Sequence, residues 1–153
     1  MVRIFFIALA LLAGIATATA QGLCEMCESF EQVNCTTINN KMLMSPQLMA
    51  QISGPILLQK LIGKIDFVET VNTDHTQSIE KLKAVIKNYL SKGPTFERTV
   101  HIKDDDSVIS LYQRQLNNNL YEYMLVIIDS SDVTAVNLIG TLTPQELGQY
   151  TYL

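Results

Sequence analysis

From Phe96 to Leu142 the chain keeps a two-residue alternation of apolar and polar side chains, interrupted by three short polar turns. Phe96, Val100 and Ile102 alternate with Glu97, Thr99, His101 and Lys103 before the turn Asp104-Asp105-Asp106-Ser107. Ile109 and Leu111 then alternate with Ser110 and Tyr112, and Asn117-Asn118-Asn119 turns the chain again. Leu120 to Ile128 is an almost unbroken apolar strand, Asp129-Ser130-Ser131-Asp132 is the third turn, and Val133 to Leu142 is the last strand. Period-two runs joined by short polar turns predict consecutive hairpins, an antiparallel meander of about four strands.

An apolar sheet face needs a cover, and the stretch from His75 to Lys92 supplies one. Ile79, Leu82, Val85, Ile86, Tyr89 and Leu90 form a single stripe at helical spacing, with Lys81, Lys83, Lys87 and Asn88 facing away. Asp74 or Thr76 is suited to cap its start, and Gly93-Pro94 to end it through a left-handed glycine. Upstream, Val33, Cys35 and Thr37 alternate as a strand, and Ser45-Pro46 begins a short helix through Leu48 and Met49 that Gly54-Pro55 breaks. Leu61, Ile65 and Phe67 lead a second strand to about Asn72. Thr143-Pro144-Gln145-Glu146 is a capping box that opens a last short helix. The expected class is α+β: the meander plus one or two N-terminal strands, packed on one long helix.

The first twenty residues read as a cleaved secretory signal: basic Arg3, an apolar run from Ile4 to Ile15, and small Ala18 and Ala20 around Thr19. The run is shorter than the roughly 18 to 20 residues that span a bilayer. Leu12-Ala13-Gly14 is followed by Ile15 rather than by a cysteine, so no lipid attachment box is present there. A cut before Gln21 removes 20 of the 153 residues and leaves 133, enough for one domain with its own core. The expected organisation is a signal over 1–20, a cysteine-containing leader over 21–32 and a single domain over 33–153. No second segment is long and apolar enough to cross a membrane, which points to a protein released into the periplasm or the extracellular space. Loss of Arg3 leaves 10 basic against 15 acidic residues and no basic stripe, which argues against nucleic acid as a partner.

An oxidising compartment makes the three cysteines first a disulfide question. Either Cys24 or Cys27 bonded to Cys35 would tie the leader to the first strand, and the spare thiol would be idle or would link two chains in a disulfide-bonded dimer. Thiol-disulfide exchange needs a strand before Cys24-Glu25-Met26-Cys27 and a helix after it, and no strand precedes it. A Cu(I) site could draw on the same cysteines with Met26, Met42 or Met44, although methionines beside an apolar strand usually fill a core. Asp104 to Asp106 lack the alternate spacing, glycine and terminal glutamate of a calcium loop. His75 and His101 have no carboxylate or nucleophile motif beside them, so a hydrolase site would have to be assembled from distant residues.

From Val33 onward the chain resembles a family of small exported bacterial proteins, domain-of-unknown-function family 4252. The resemblance is carried by Lys41-Met42-Leu43-Met44, Lys64-Ile65-Asp66-Phe67-Val68, Phe96-Glu97 before the aspartate turn, and above all Val136-Asn137-Leu138-Ile139-Gly140-Thr141-Leu142. It implies an envelope protein of unknown molecular function and assigns no catalytic residue, metal or cofactor. The expectation is a non-enzymatic domain that binds an envelope protein or a small ligand through a sheet face, with Tyr112, Arg114, Tyr121 and Tyr123 as the candidate recognition surface. The alternative is a thiol-redox or soft-metal role for Cys24, Cys27 and Cys35.

Overall fold

A computed structural model describes residues 22–46, 60 and 62–150. The expected signal over residues 1–20 and the body of the short helix expected after Pro46 lie outside them. The chain order is α1 (Leu23–Met26), β1 (Asn34–Asn39), α2 (Asn40–Leu43), β2 (Ile65–Thr73), α3 (Thr76–Ser91), β3 (Glu97–Asp104), β4 (Ser107–Asn117), β5 (Leu120–Ile128), β6 (Val133–Gly140) and α4 (Pro144–Tyr150).

The strands form one six-stranded antiparallel sheet in the order β1-β2-β6-β5-β4-β3. The three C-terminal turns close hairpins at Asp104/Ser107, Asn117/Leu120 and Ile128/Val133. In the first, Asp105 takes a φ of 38°, a left-handed conformation that aspartate tolerates better than most residues. β2 pairs with the last strand, so β2 and β3 are separated by the whole meander. The chain between them must cross one face of the sheet, and α3 makes that crossing.

Two helices share the cover. Leu82 and Ile86 of α3 meet Val71, Met124, Val126, Val133 and Ala135 of the sheet, and Leu23 and Cys27 of the N-terminal segment complete the cluster. Full burial of a side chain such as Leu82 contributes about 1.5–3 kcal/mol. The expected picture of one long helix under a sheet is therefore too simple: the molecule is mostly sheet, and Leu23 and Cys27 of the leader belong to its core.

Several local expectations change. Neither Asp74 nor Thr76 caps α3; His75 holds the N-cap position without a side-chain cap, and the first turn is tied down by Ser78, whose hydroxyl donates to Glu31 O at 2.5 Å. The helix ends with Lys92 in extended conformation, Gly93 is not left-handed, and the Gly93–Pro94 peptide is cis. The last strand stops at Gly140 rather than Leu142. In β3 the register shifts between Arg98 and Val100, so Phe96 packs on the helix-covered core while Val100 and Ile102 face the other way. A bulge of this kind reverses the alternation that a constant period assumes.

Candidate functional site

Paired residues in an antiparallel ladder point to the same side of the sheet. Arg98, His101 and Lys103 on β3 thus share a face with Tyr112, Ser110 and Val108 on β4, with Met124, Val126 and Ile128 on β5, and with Asn137, Ala135 and Val133 on β6. This is the face that α3 and α1 cover. The opposite face carries Val68 of β2, Val136 and Leu138 of β6, Leu125 and Ile127 of β5, and Ile109 and Leu111 of β4. It ends in Val100 and Ile102 on the edge strand. Those last two are 38% and 51% exposed. The charged residues that strand pairing places on this face are Glu97 and Asp104, at the two ends of β3.

The four candidate recognition residues do not lie together. Tyr112 and Arg114 are on the helix-covered face, whereas Tyr121 and Tyr123 are on the open one. Tyr123 is buried, its hydroxyl donating to Leu142 O at 2.7 Å, and burial raises its phenol above the ordinary tyrosine range.

Arg114 is held inside a polar cluster. Its Nε donates to Glu122 Oε1 at 2.5 Å, its Nη1 donates to Lys92 O and Pro94 O at 2.7 and 3.0 Å, and its guanidinium stacks over Phe96 at 4.1 Å. The other oxygen of Glu122 accepts from the Tyr89 hydroxyl and, at 2.9 Å, from Asn137 Nδ2. Burial and the neighbouring Glu122 push the Tyr89 phenol far up, so it remains a donor. Asn137 Oδ1 is buried without a hydrogen-bond partner. The cluster clamps the C-terminal end of α3 and the loop after it onto β5 and β6. Its residues are 15 to 48 positions apart in the pairs that Asn137 makes, which is why no local motif announced it.

The cysteines form a structural corner. Cys24 is bonded to Cys35, joining α1 to β1 over a separation of 11 residues. Glu69, buried on β2, accepts the Cys24 amide at 3.1 Å. Burial pushes its carboxyl above the usual range against the lowering effect of the Cys24 and Leu23 amides, and Glu25 and Glu122 add to the rise. Cys27 is free but only 3% exposed, and burial with the nearby Glu69 charge pushes its thiol up to about 11. A thiol in that state is a poor nucleophile at neutral pH, and its burial keeps it from a second chain. The disulfide-linked dimer through the spare thiol is therefore set aside.

His75 Nδ1 lies 3.3 Å from Ser78 Oγ, and His101 Nδ1 lies 3.0 Å from Ser110 Oγ. No carboxylate hydrogen-bonds to either ring among the described residues. Nor do the described residues include a cluster of three or more His, Cys, Asp or Glu suited to a metal ion. No described helix is long and apolar enough to cross a membrane.

The model of the family described as Domain of unknown function (DUF4252) matches residues 28–150. Searches of curated proteins and of solved structures find no match.

Proposed function

Since the chain belongs to the DUF4252 family, whose description carries no chemistry, we propose that it is an exported, non-enzymatic domain that binds a partner protein through the face of its sheet opposite α1 and α3. The observation behind this reading is the apolar surface running from Val136 across Leu125, Ile127, Ile109 and Leu111 to the exposed Val100 and Ile102. An apolar patch of this kind on a water-exposed face marks an interaction site.

The apolar residues are spread across adjacent strands β6, β5, β4 and β3, whereas small-molecule sites gather their residues around a concavity. Strands spaced about 4.8 Å apart and about eight residues long give a six-stranded face of roughly 600 Å². That approaches the ~800 Å² which each partner contributes to a standard protein interface. With Glu97 and Asp104, at the ends of β3, as the charges that strand pairing places on it, the face suits a partner that is itself uncharged at the contact. The same reading has the signal removed before Gln21, so that the mature chain enters the fold at α1. The alternative use of Cys24, Cys27 and Cys35 in redox or soft-metal chemistry draws no support from a bonded pair and a buried, protonated thiol.

The test is a cross-linked pull-down from intact cells that express the tagged precursor, run beside the double variant Val100→Lys, Ile102→Lys. The expected result is a partner captured by the wild-type chain and lost from the variant. Recovery of the chain alone, with sedimentation showing a monomer, would overturn the reading. Mass spectrometry of the released protein should place its N-terminus at Gln21.

A further inference from the structure

We propose that the cleft between α3 and strands β4 and β5 is a binding site for a single-chain amphiphile with an anionic head group. The site lies on the helix-covered face and is independent of the open-face reading.

The cleft has a volume of about 410 Å³, within the range of roughly 300–1,000 Å³ typical of small-ligand pockets. Its floor is Val126, Ile128 and the Tyr112 ring, and Ile86 and Leu90 form its helical wall. The helix covers only part of this face. Beyond it the sheet continues through β4 to β3, where Val108 is half-buried and His101 is exposed. An elongated apolar group can therefore lie along the floor with one end open to water.

The charges around that opening determine which end group it accepts. Lys83 and Lys87 project from α3 along the helical lip. Across the floor, Arg98 stands opposite Tyr112 and Lys103 opposite Val108, both on the same side of the sheet as the cleft. Lys83 pairs with Glu80 at 3.1 Å, while Lys87, Arg98 and Lys103 have no acidic partner among the described residues. Asp104 and the turn residues Asp105, Asp106, Asp129 and Asp132 border the Val108–Ile128 end of the floor, so the cations that favour an anion are Lys83 and Lys87 along the helical lip and Arg98 at the Tyr112 end. An acyl chain against Ile86, Leu90, Val126 and Ile128, with a carboxylate or phosphate on the lysines, satisfies both features. A neutral amphiphile would satisfy only the first.

The experiment titrates the protein, released from its full precursor, with decanoate, decyl phosphate and decanol, followed by methyl NMR of Leu90, Val126 and Ile128 and by calorimetry. Both anions should shift those methyls, with decanol binding about tenfold more weakly. The double variant Lys83→Gln, Lys87→Gln replaces a half-exposed and an exposed side chain and should keep the fold. It should weaken the anions by about tenfold while leaving decanol unchanged. Tighter binding of decanoate than of decyl phosphate would identify the head group as a carboxylate, and the reverse would identify a phosphate. Unmoved methyls, equal affinity for decanol, or a lysine variant that binds the anions as wild type does would overturn the proposal. The Val100→Lys, Ile102→Lys variant should bind decanoate normally, which separates this site from the open face.

Discussion

Arg114 and Glu122 show how a charged residue in a strand is committed to the inside of the molecule. Arg114 has a side chain only 10% exposed, and its donors are taken by Glu122, Lys92 O and Pro94 O. Arg114→Ala leaves Glu122 buried without its cation, so urea unfolding should show a loss of about 3–5 kcal/mol. Tyr89→Phe removes one donor to the same carboxylate and should cost about 1–3 kcal/mol. Glu69 behaves differently because its folded-state pKa is raised. The folded state then holds a proton that the unfolded state has released, and stability falls as pH rises from the ordinary carboxylate range through the folded value. Glu69→Gln keeps an acceptor for the Cys24 amide without the charge. Thermal melts should find it at least as stable as wild type near neutral pH, with the advantage gone at about pH 4, below the ordinary glutamate value. Cys27 should stay unlabelled by a thiol reagent in the folded protein and react once denatured.

At the level of elements, α4 follows its sequence signature: Glu146 N donates to Thr143 Oγ1 at 3.2 Å and Thr143 N donates to Glu146 Oε2 at 2.9 Å. Glu146 also pairs with Lys64, which together with the Thr143 amide holds its carboxyl below the usual range. Gly140, the glycine that closes the family-like strand, is needed because a side chain there would collide with the backbone of Lys64 and Ile65. Gly140→Ala should lower stability by about 1–3 kcal/mol, as overpacking does, in the same unfolding assay. The α3 stripe and the three hairpins were legible because each is encoded over neighbouring residues. The bulge in β3 was not, since nothing in Arg98-Thr99-Val100 says that the alternation slips there; only pairing with β4 shows it. The candidate tyrosines failed as one surface for a related reason. Adjacent strands pair residue to residue, and the register sets Tyr112 against Met124 and Gln113 against Tyr123.

Across the whole molecule, the two sides of the sheet differ in chemistry. One, opposite α1 and α3, is apolar, and it is the surface proposed to meet a protein. The other is roofed by α1 and α3, and the cleft with lysines on its helical lip lies between α3 and strands β4 and β5. The disulfide fastens α1 to the edge strand, so the N-terminal segment is part of the roof. Replacing Cys24 and Cys35 together by alanine should lower stability by about 2–4 kcal/mol, read by urea unfolding, and loosen Leu23 from the core.

Periodicity, turn residues and capping by themselves determined the antiparallel meander, the long helix, the final capped helix and the family resemblance, because each depends on residues within a few positions of one another. The tertiary structure decided the rest. It set β2 beside β6, chose Cys24 over Cys27 as the partner of Cys35, and gathered Tyr89, Arg114, Glu122 and Asn137 into one buried cluster. It also determined which face of the sheet α1 and α3 cover. These are contacts between residues far apart in the chain, and a local pattern carries no term for which distant strand a residue will pair with or which side a helix will cross.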